Sequence, residues 1–187
     1  MKLTVNLMES DNRFEIPFRF CPMCGSPSFV ENNIKSMHCL DCGFVYYVNP
    51  SAAVAAFVRN ECGDLLVCVR GKDPAKGTYD LPGGFVDYGE SASDAVRREL
   101  EEELNVPVIH DKYLFSIPNR YEYSGMIIPT LDLFFECRLA DNIAIKPSDD
   151  VADCLFIPIS DLDPADFGLK SIRAAIERFK ESLSDHS

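Results

Sequence analysis

The chain contains no tryptophan in its 187 residues. It has no apolar run near the roughly 18 residues a membrane span requires, and no internal repeat or low-complexity tract. It is also short of positive charge, with 18 Lys and Arg against 30 Asp and Glu and a net charge of -12. The missing apolar run excludes a spanning helix, and the missing repeat excludes a solenoid. Phosphate backbones are held mainly by clustered Lys and Arg, so the acidic balance argues against a general nucleic-acid-binding role. The opening stretch from Met1 to Leu7 is too short in apolar residues for a secretory signal, and a cytoplasmic location is expected.

What is present is ordinary for a soluble globular protein: 47% hydrophobic and 26% charged residues. The length allows one or two domains with a sizeable α/β core. Eight cysteines are unevenly spread. Cys21 and Cys24 form one tight pair and Cys39 and Cys42 another, whereas Cys62, Cys68, Cys137 and Cys154 stand isolated. Cys68 and Cys137 lie in strand-like runs, where a free thiol behaves as a small buried hydrophobe. Reduced thiols fit a cytosolic chain best.

Three regions follow: a lead-in over residues 1–17, a cysteine-rich segment over 18–50, and a mixed α/β domain over 51–187. Within the last, Ser51 to Arg59 and Leu65 to Arg70 read as strands joined by a turn at Gly63-Asp64. Tyr79 to Val86 reads as a short strand broken by Pro82-Gly83-Gly84. Ser91 to Leu104 is the best helix. Val106 to Ile117, Ile127 to Leu139 and Leu155 to Ile159 read as later strands, and Leu169 to Leu183 as a closing helix. Strands and helices without strict alternation favour a mixed sheet.

The two C-x2-C pairs are separated by fourteen residues. Each places two thiolates on one turn, followed by a glycine (Gly25, Gly43) that relieves the backbone. Two such turns meeting create the tetrahedral four-sulfur site that Zn2+ prefers. The segment resembles a zinc ribbon, and a closed four-ligand site leaves no open position for substrate, so its role is structural. Lys35 is the one basic residue between the ligand pairs, which speaks against nucleic-acid contact. His38 is a bystander beside four thiols.

In the helix, Ser91 and Asp94 predict a capped start. At about 100° per residue, Ala92, Val96, Leu100 and Leu104 make an apolar stripe. Glu99 and Glu103 border that stripe instead of opposing it, Glu102 lies about 60° beyond Glu99, and Glu101 points away. Like charges at i and i+4 are unfavourable and partial burial raises the cost. A hard divalent cation with oxygen ligands is the natural compensation. It would also let so acidic a protein hold a diphosphate.

The stretch resembles the Nudix box, G-x5-E-x7-R-E-U-x-E-E-x-G-U with U aliphatic. Gly84, Glu90, Arg98, Glu99, Leu100, Glu102, Glu103 and Val106 fill eight of its nine specified positions. Asn105 replaces the last glycine, at a position where a left-handed residue is usual and Asn is the next best tolerated. The resemblance implies an α+β Nudix α/β/α sandwich and an enzyme that hydrolyses a pyrophosphate bond. It implies Mg2+ or Mn2+ held by Glu99, Glu102 and Glu103, with the Gly83 carbonyl and Glu90 as further ligands. Arg98 would orient the carboxylates, Glu90 would brace the turn before the helix, and a homodimer is implied among the assembly states.

A zinc ribbon ahead of such a domain resembles the NADH pyrophosphatase branch. That branch carries Ser-Gln-Pro-Trp after the box, where this chain has Ser116-Ile117-Pro118-Asn119. ADP-ribose, an NAD(H)-like dinucleotide and an oxidised nucleoside triphosphate therefore remain alternatives, beside a non-catalytic nucleotide sensor. Arg70, Arg120, Tyr121 and Tyr123 are the candidate substrate contacts. Asp149, Asp150 and Asp153 lie in a late acidic loop that is either solvated or supplies a base or ligand.

Overall fold

The computed structural model describes residues 18–123, 125–140, 145–148 and 151–184. The lead-in over residues 1–17, Asp149 and Asp150 lie outside them. The chain divides into two compact units, one comprising Met1–Pro50 with Glu122–Pro129, the other Ser51–Tyr121 with Thr130–Ser187.

In the first unit three short strands, β1 (Phe29–Asn33), β2 (Ser36–Cys39) and β3 (Val45–Tyr47), form an antiparallel meander. Its small core is Cys21, Phe29 and Cys39, with Met37, Phe44 and Tyr46 packed around it. Phe18 meets the Tyr46 ring edge-on at 5.4 Å.

The remaining strands are β4 (Ser51–Val58), β5 (Leu65–Arg70), β6 (Tyr79–Asp80), β7 (Gly83–Phe85), β8 (Val108–Tyr123), β9 (Met126–Leu139) and β10 (Val151–Ile157), with helices α1 (Ala92–Leu104) and α2 (Lys170–Ser184); all lie in the second unit except Glu122–Tyr123 of β8 and Met126–Pro129 of β9. Two sheets run in the orders β7-β4-β9-β8 and β10-β5-β6. The first is mixed, because β4 pairs parallel with β9 but antiparallel with β7. The run Tyr79 to Val86, expected as one broken strand, sends its halves to different sheets. Pro82 has no N–H to extend a ladder, so β6 pairs with β5 and β7 with β4.

The period-2 alternation of the strands separates two apolar cores. Val54, Ala56, Val58, Leu66, Cys68, Phe135 and Cys137 pack against Ala95, Val96, Leu100 and Leu104 of α1. Ala55, Phe57, Leu65, Val67 and Phe134 pack against Ile172, Ala175, Ile176 and Phe179 of α2. A helix on each face makes the α/β/α sandwich. Apolarity on both faces explains why β4 reads as one continuous apolar run and not as an alternating strand. Phe57 stacks on Phe179 with centroids 4.1 Å apart. No helix among the described residues is long and apolar enough to cross a membrane.

Candidate active site and metal centres

Ser91 begins α1 in an extended conformation, its Oγ accepting from the Asp94 N–H at 3.2 Å and donating to Asp94 Oδ2 at 2.6 Å. Asn105 ends it in the left-handed region, φ 56°, with its N–H on the Glu101 carbonyl. Ala95, Val96, Leu100, Glu103 and Leu104 form the buried face. A carboxylate thus sits in the apolar seam.

Glu103 is 7% exposed. Its Oε2 accepts from the Gly83 N–H at 2.9 Å. Burial first, and then the charges of Glu99 and Asp80, push its carboxyl up to about 9. Glu99 is half-buried and also raised, chiefly by burial and against the pull of Arg98. Glu102 is open, with its side chain 51% exposed.

Arg98 is the hub. Its Nε and Nη2 grip both oxygens of Glu90 at 3.0 Å, and Nη2 also donates to the Phe85 carbonyl at 3.0 Å. Its Nη1 reaches Glu99 at 2.8 Å and Glu102 at 3.0 Å. The Glu90 carboxyl lies below its ordinary range because of this fork and the Asp87 N–H it accepts. One guanidinium therefore ties the turn before α1 to two carboxylates on it, a bidentate geometry lysine cannot reproduce.

Three glutamates paired with one arginine, and a fourth, Glu103, buried on the same helix, leave an excess of negative charge and oxygen donors, and the Glu103 carboxyl is costly to ionise where it lies. That donor set suits a hard divalent cation. The glycines of β7 press on it differently. A Cβ on Gly84 would lie 2.5 Å from the flexible Glu99 carboxylate, whereas a Cβ on Gly83, at φ +148°, would lie 2.1 Å from the Val54 backbone carbonyl. Gly84→Ala should therefore displace Glu99 with little change in melting temperature, and if Glu99 is a metal ligand Mn2+ should bind roughly tenfold more weakly. Gly83→Ala should lose several degrees by breaking the β4–β7 register. Titration calorimetry and thermal melts on the pair check this, and equal losses of stability would refute it.

Among the described residues, the one set of three or more ligand atoms within 4.8 Å of one another is the Sγ quartet of Cys21, Cys24, Cys39 and Cys42. Cys21–Cys42 and Cys24–Cys39 both stand at 3.7 Å. Four sulfurs at the Zn–S distance on a tetrahedron are separated by roughly 3.8 Å, so the quartet already has the size of a zinc site. Gly25 and Gly43 follow the two pairs at φ +75° and +76°. The Cys39 thiol is lowered to about 7, first by the Cys42 backbone N–H, whereas Cys24 is pushed up to about 12, against the pull of the Ser26 backbone N–H, chiefly by its hydrogen bond with Cys42.

The model of the NUDIX domain matches residues 49–179. The chain belongs to the Nudix family. Similar curated proteins include NAD-capped RNA hydrolase NudC of Chromobacterium violaceum, 37% identical over 58% of this chain and 40% of that protein, and NudC of Vibrio parahaemolyticus, 27% identical over 89% and 62%. The chain spans about half the length of the curated relatives it matches. A Nudix hydrolase of Nitrosomonas europaea superposes with a TM-score of 0.66 at 21% identity, covering 88% of this chain and 91% of that one. The Nudix domain of Shewanella oneidensis NrtR, solved with ADP ribose, gives 0.56 at 22%, covering 72% and 89%. These structures share the fold.

The Nudix box here has a clamp that sequence reasoning missed. Asn105, read only as a tolerated substitute for glycine, donates through Nδ2 to the Lys146 carbonyl at 2.9 Å and to Ser148 Oγ at 3.2 Å. In return, Lys146 N–H takes the Leu104 carbonyl, Ser148 N–H the Glu103 carbonyl and Ser148 Oγ the Glu102 carbonyl. With Asn105 N–H on Glu101, all four terminal carbonyls of the Nudix helix are satisfied. Ser148→Ala frees one of them and should cost about 1 kcal/mol, read as a drop of a few degrees in melting temperature. No change would show that the clamp carries no load.

Of the other sequence candidates, Arg70 and Tyr121 are brought together. The Arg70 Nε donates to the Pro74 carbonyl at 2.7 Å and its Nη1 is paired with buried Asp80. The Tyr121 hydroxyl is a further partner of Arg70, and the Tyr121 ring meets Phe85 edge-on at 5.6 Å. Tyr123 is 55% exposed and Arg120 is exposed on β8. Asp153 accepts from the Cys154 N–H at 2.8 Å. Sequence reasoning also passed over Asp132, buried in β9 with Thr130 Oγ1 donating to it at 2.6 Å and Asn119 Nδ2 at 3.0 Å. A lone Asp in the apolar run Leu131 to Phe135 was the available signal.

Proposed function

We propose that the chain is a metal-dependent pyrophosphohydrolase acting on a nucleoside diphosphate linked to a second moiety, of the NAD(H) or ADP-ribose type. The observation that carries the reading is the Glu103 carboxyl, buried beside Glu99 and raised by that burial, on a helix whose arginine already orders Glu99 and Glu102. Residues 51–187 form the hydrolase domain of this proposal and 18–50 its zinc ribbon, with Cys21, Cys24, Cys39 and Cys42 holding Zn2+.

Glu99, Glu102 and Glu103 would hold Mg2+ or Mn2+, with Glu90 and the Gly83 carbonyl as further ligands. When bound, such an ion neutralises the diphosphate and lowers the pKa of a coordinated water. Arg98 keeps Glu99 and Glu102 turned to one side of the helix, so little reorganisation remains at the moment of reaction. Glu90 acts through Arg98, bracing the turn ahead of α1. The Gly83 N–H fixes the rotamer of Glu103. Tyr121, Tyr123 and Arg120 are the proposed substrate contacts, through ring stacking and phosphate pairing. Arg70, with two donors already engaged, serves better as a buttress for Asp80 and Tyr121.

The name of the NudC relatives supports a dinucleotide with a nicotinamide end, and the net charge of -12 disfavours a grip on a long RNA backbone. A cytoplasmic location completes the proposal. The decisive experiment incubates the chain with NADH, ADP-ribose, an oxidised nucleoside triphosphate and a short NAD-capped RNA, each with Mg2+ or Mn2+, and separates the products. Nucleoside monophosphate from NADH or ADP-ribose supports the proposal, and pyrophosphate from the triphosphate alone would replace it with nucleotide clearing. Tight binding without product would make the chain a sensor.

A further inference from the structure

Two cysteines that stand 86 residues apart in the chain meet in the second unit. Cys68 and Cys154 face each other across the antiparallel β5–β10 ladder, as Cα partners in register, with their sulfurs 3.3 Å apart. Directly opposed residues of an antiparallel pair have Cα atoms about 4.5–5.5 Å apart, inside the window a disulfide accepts. The opposed register and the 3.3 Å sulfur separation thus place the two thiols within reach of one another for a bond. The thiols are unequal. Cys68 is buried against the α1 side of the sheet and Cys154 is half-buried, on the edge strand of the β10-β5-β6 sheet. The two sulfurs share one hydrogen bond in which either can be the donor; that pairing first, and then burial, pushes the Cys68 thiol up, while the same pairing lowers Cys154. Cys137, buried in the same core, has its thiol pushed up to about 12, chiefly by burial. It marks the ordinary fate of a thiol in this layer.

We infer that Cys68 and Cys154 form an oxidisable dithiol, a modification site that closes to a cross-strand disulfide when the chain meets a peroxide. The Cys154 thiolate attacks one peroxide oxygen, breaking the O–O bond to give a sulfenic acid and a hydroxide, which takes up the proton Cys154 released and leaves as one water. The Cys68 sulfur then attacks the sulfenic sulfur, and the hydroxyl departs with the Cys68 proton as a second water. Two thiols and one hydrogen peroxide become one disulfide and two waters. A dithiol reductant reverses the step by exchange. The bond would staple β10 to β5, and with β10 the clamp at Lys146 and Ser148 that caps the Nudix helix just before it in the chain. The inference stands on the pairing of the strands and does not require that the chain be a hydrolase.

The test uses the full chain, zinc-loaded, carrying Cys62→Ser so that Cys68 is the one thiol in its tryptic peptide, residues 60–70. The protein is treated with hydrogen peroxide, denatured, alkylated and digested, and its peptides are weighed. The expected product is a linked peptide pair about 2 Da lighter than the two separate thiol peptides, which dithiothreitol splits. Cys154→Ser, at the half-buried position, should abolish it. The linked protein should melt about 5–10 °C higher than the reduced form. Recovery of Cys68 and Cys154 as separately alkylated or separately over-oxidised residues would overturn the inference, as would a linked pair that forms equally well from denatured protein. An unchanged melting temperature in the linked protein would overturn the staple.

Discussion

Glu103→Gln should lower hydrolysis by roughly a hundred- to a thousandfold, while making the metal-free protein more stable than wild type at pH 8 to 9. Both effects come from one buried carboxyl. Folded Glu103 keeps its proton up to about pH 9, whereas an unfolded glutamate releases it near pH 4.3. Between those values the folded state binds more protons than the unfolded one, so stability falls as the pH rises, by at most about 1.4 kcal/mol per pH unit. Glutamine is neutral throughout and removes that slope. A dication takes the place of the proton, so Mn2+ should raise the melting temperature of the wild type more at pH 8.5 than at pH 5.5. In Glu103→Gln that difference should shrink toward zero. Melts at the two pH values, with and without Mn2+, and a product assay at pH 8 check the set. A variant with the full wild-type rate would remove Glu103 from the reaction, and parallel melting curves would show that its burial costs nothing.

Loss of the cysteine quartet should have the second large effect. Cys39 is fully buried at the end of β2 and shares the first unit's core with Cys21 and Phe29. Segments under about 40 residues seldom bury enough apolar surface to fold without a metal or disulfides, and metal binding then supplies most of the folding free energy. Cys39→Ser should reduce zinc from one per chain to none by elemental analysis, and residues 18–50 should be cut by protease roughly tenfold faster. The Nudix domain has two apolar cores of its own, and its melt should move by only a few degrees. A protein that binds no zinc and yet resists proteolysis over 18–50 would show that the quartet is not a zinc site.

The parts of this molecule legible in the sequence are those decided within a few residues of chain. The spacing of Cys21, Cys24, Cys39 and Cys42 prescribes two metal knuckles because each pair and its glycine make one turn. The start of α1 at Ser91 and its left-handed end at Asn105 follow from caps that act over three or four residues. The placement of Glu99 and Glu103 beside Leu100 and Leu104 follows from 3.6 residues per turn. Each of these needs no knowledge of what the helix or turn packs against.

Tertiary structure decided how deeply Glu103 is buried, which depends on the approach of β7, twenty residues earlier in the chain. It divided the run Tyr79 to Val86 between two sheets, and engaged Arg70, a candidate substrate contact at a strand end by sequence, with Asp80 and Pro74. It turned Asn105 from a tolerated cap into a clamp on Lys146 and Ser148, and joined two apparently isolated cysteines as strand partners. All of these are contacts between segments distant in sequence. They depend on which strands pair and in which register, and in strands apolar on both faces the sequence leaves that choice open until the cores on the two sides are filled.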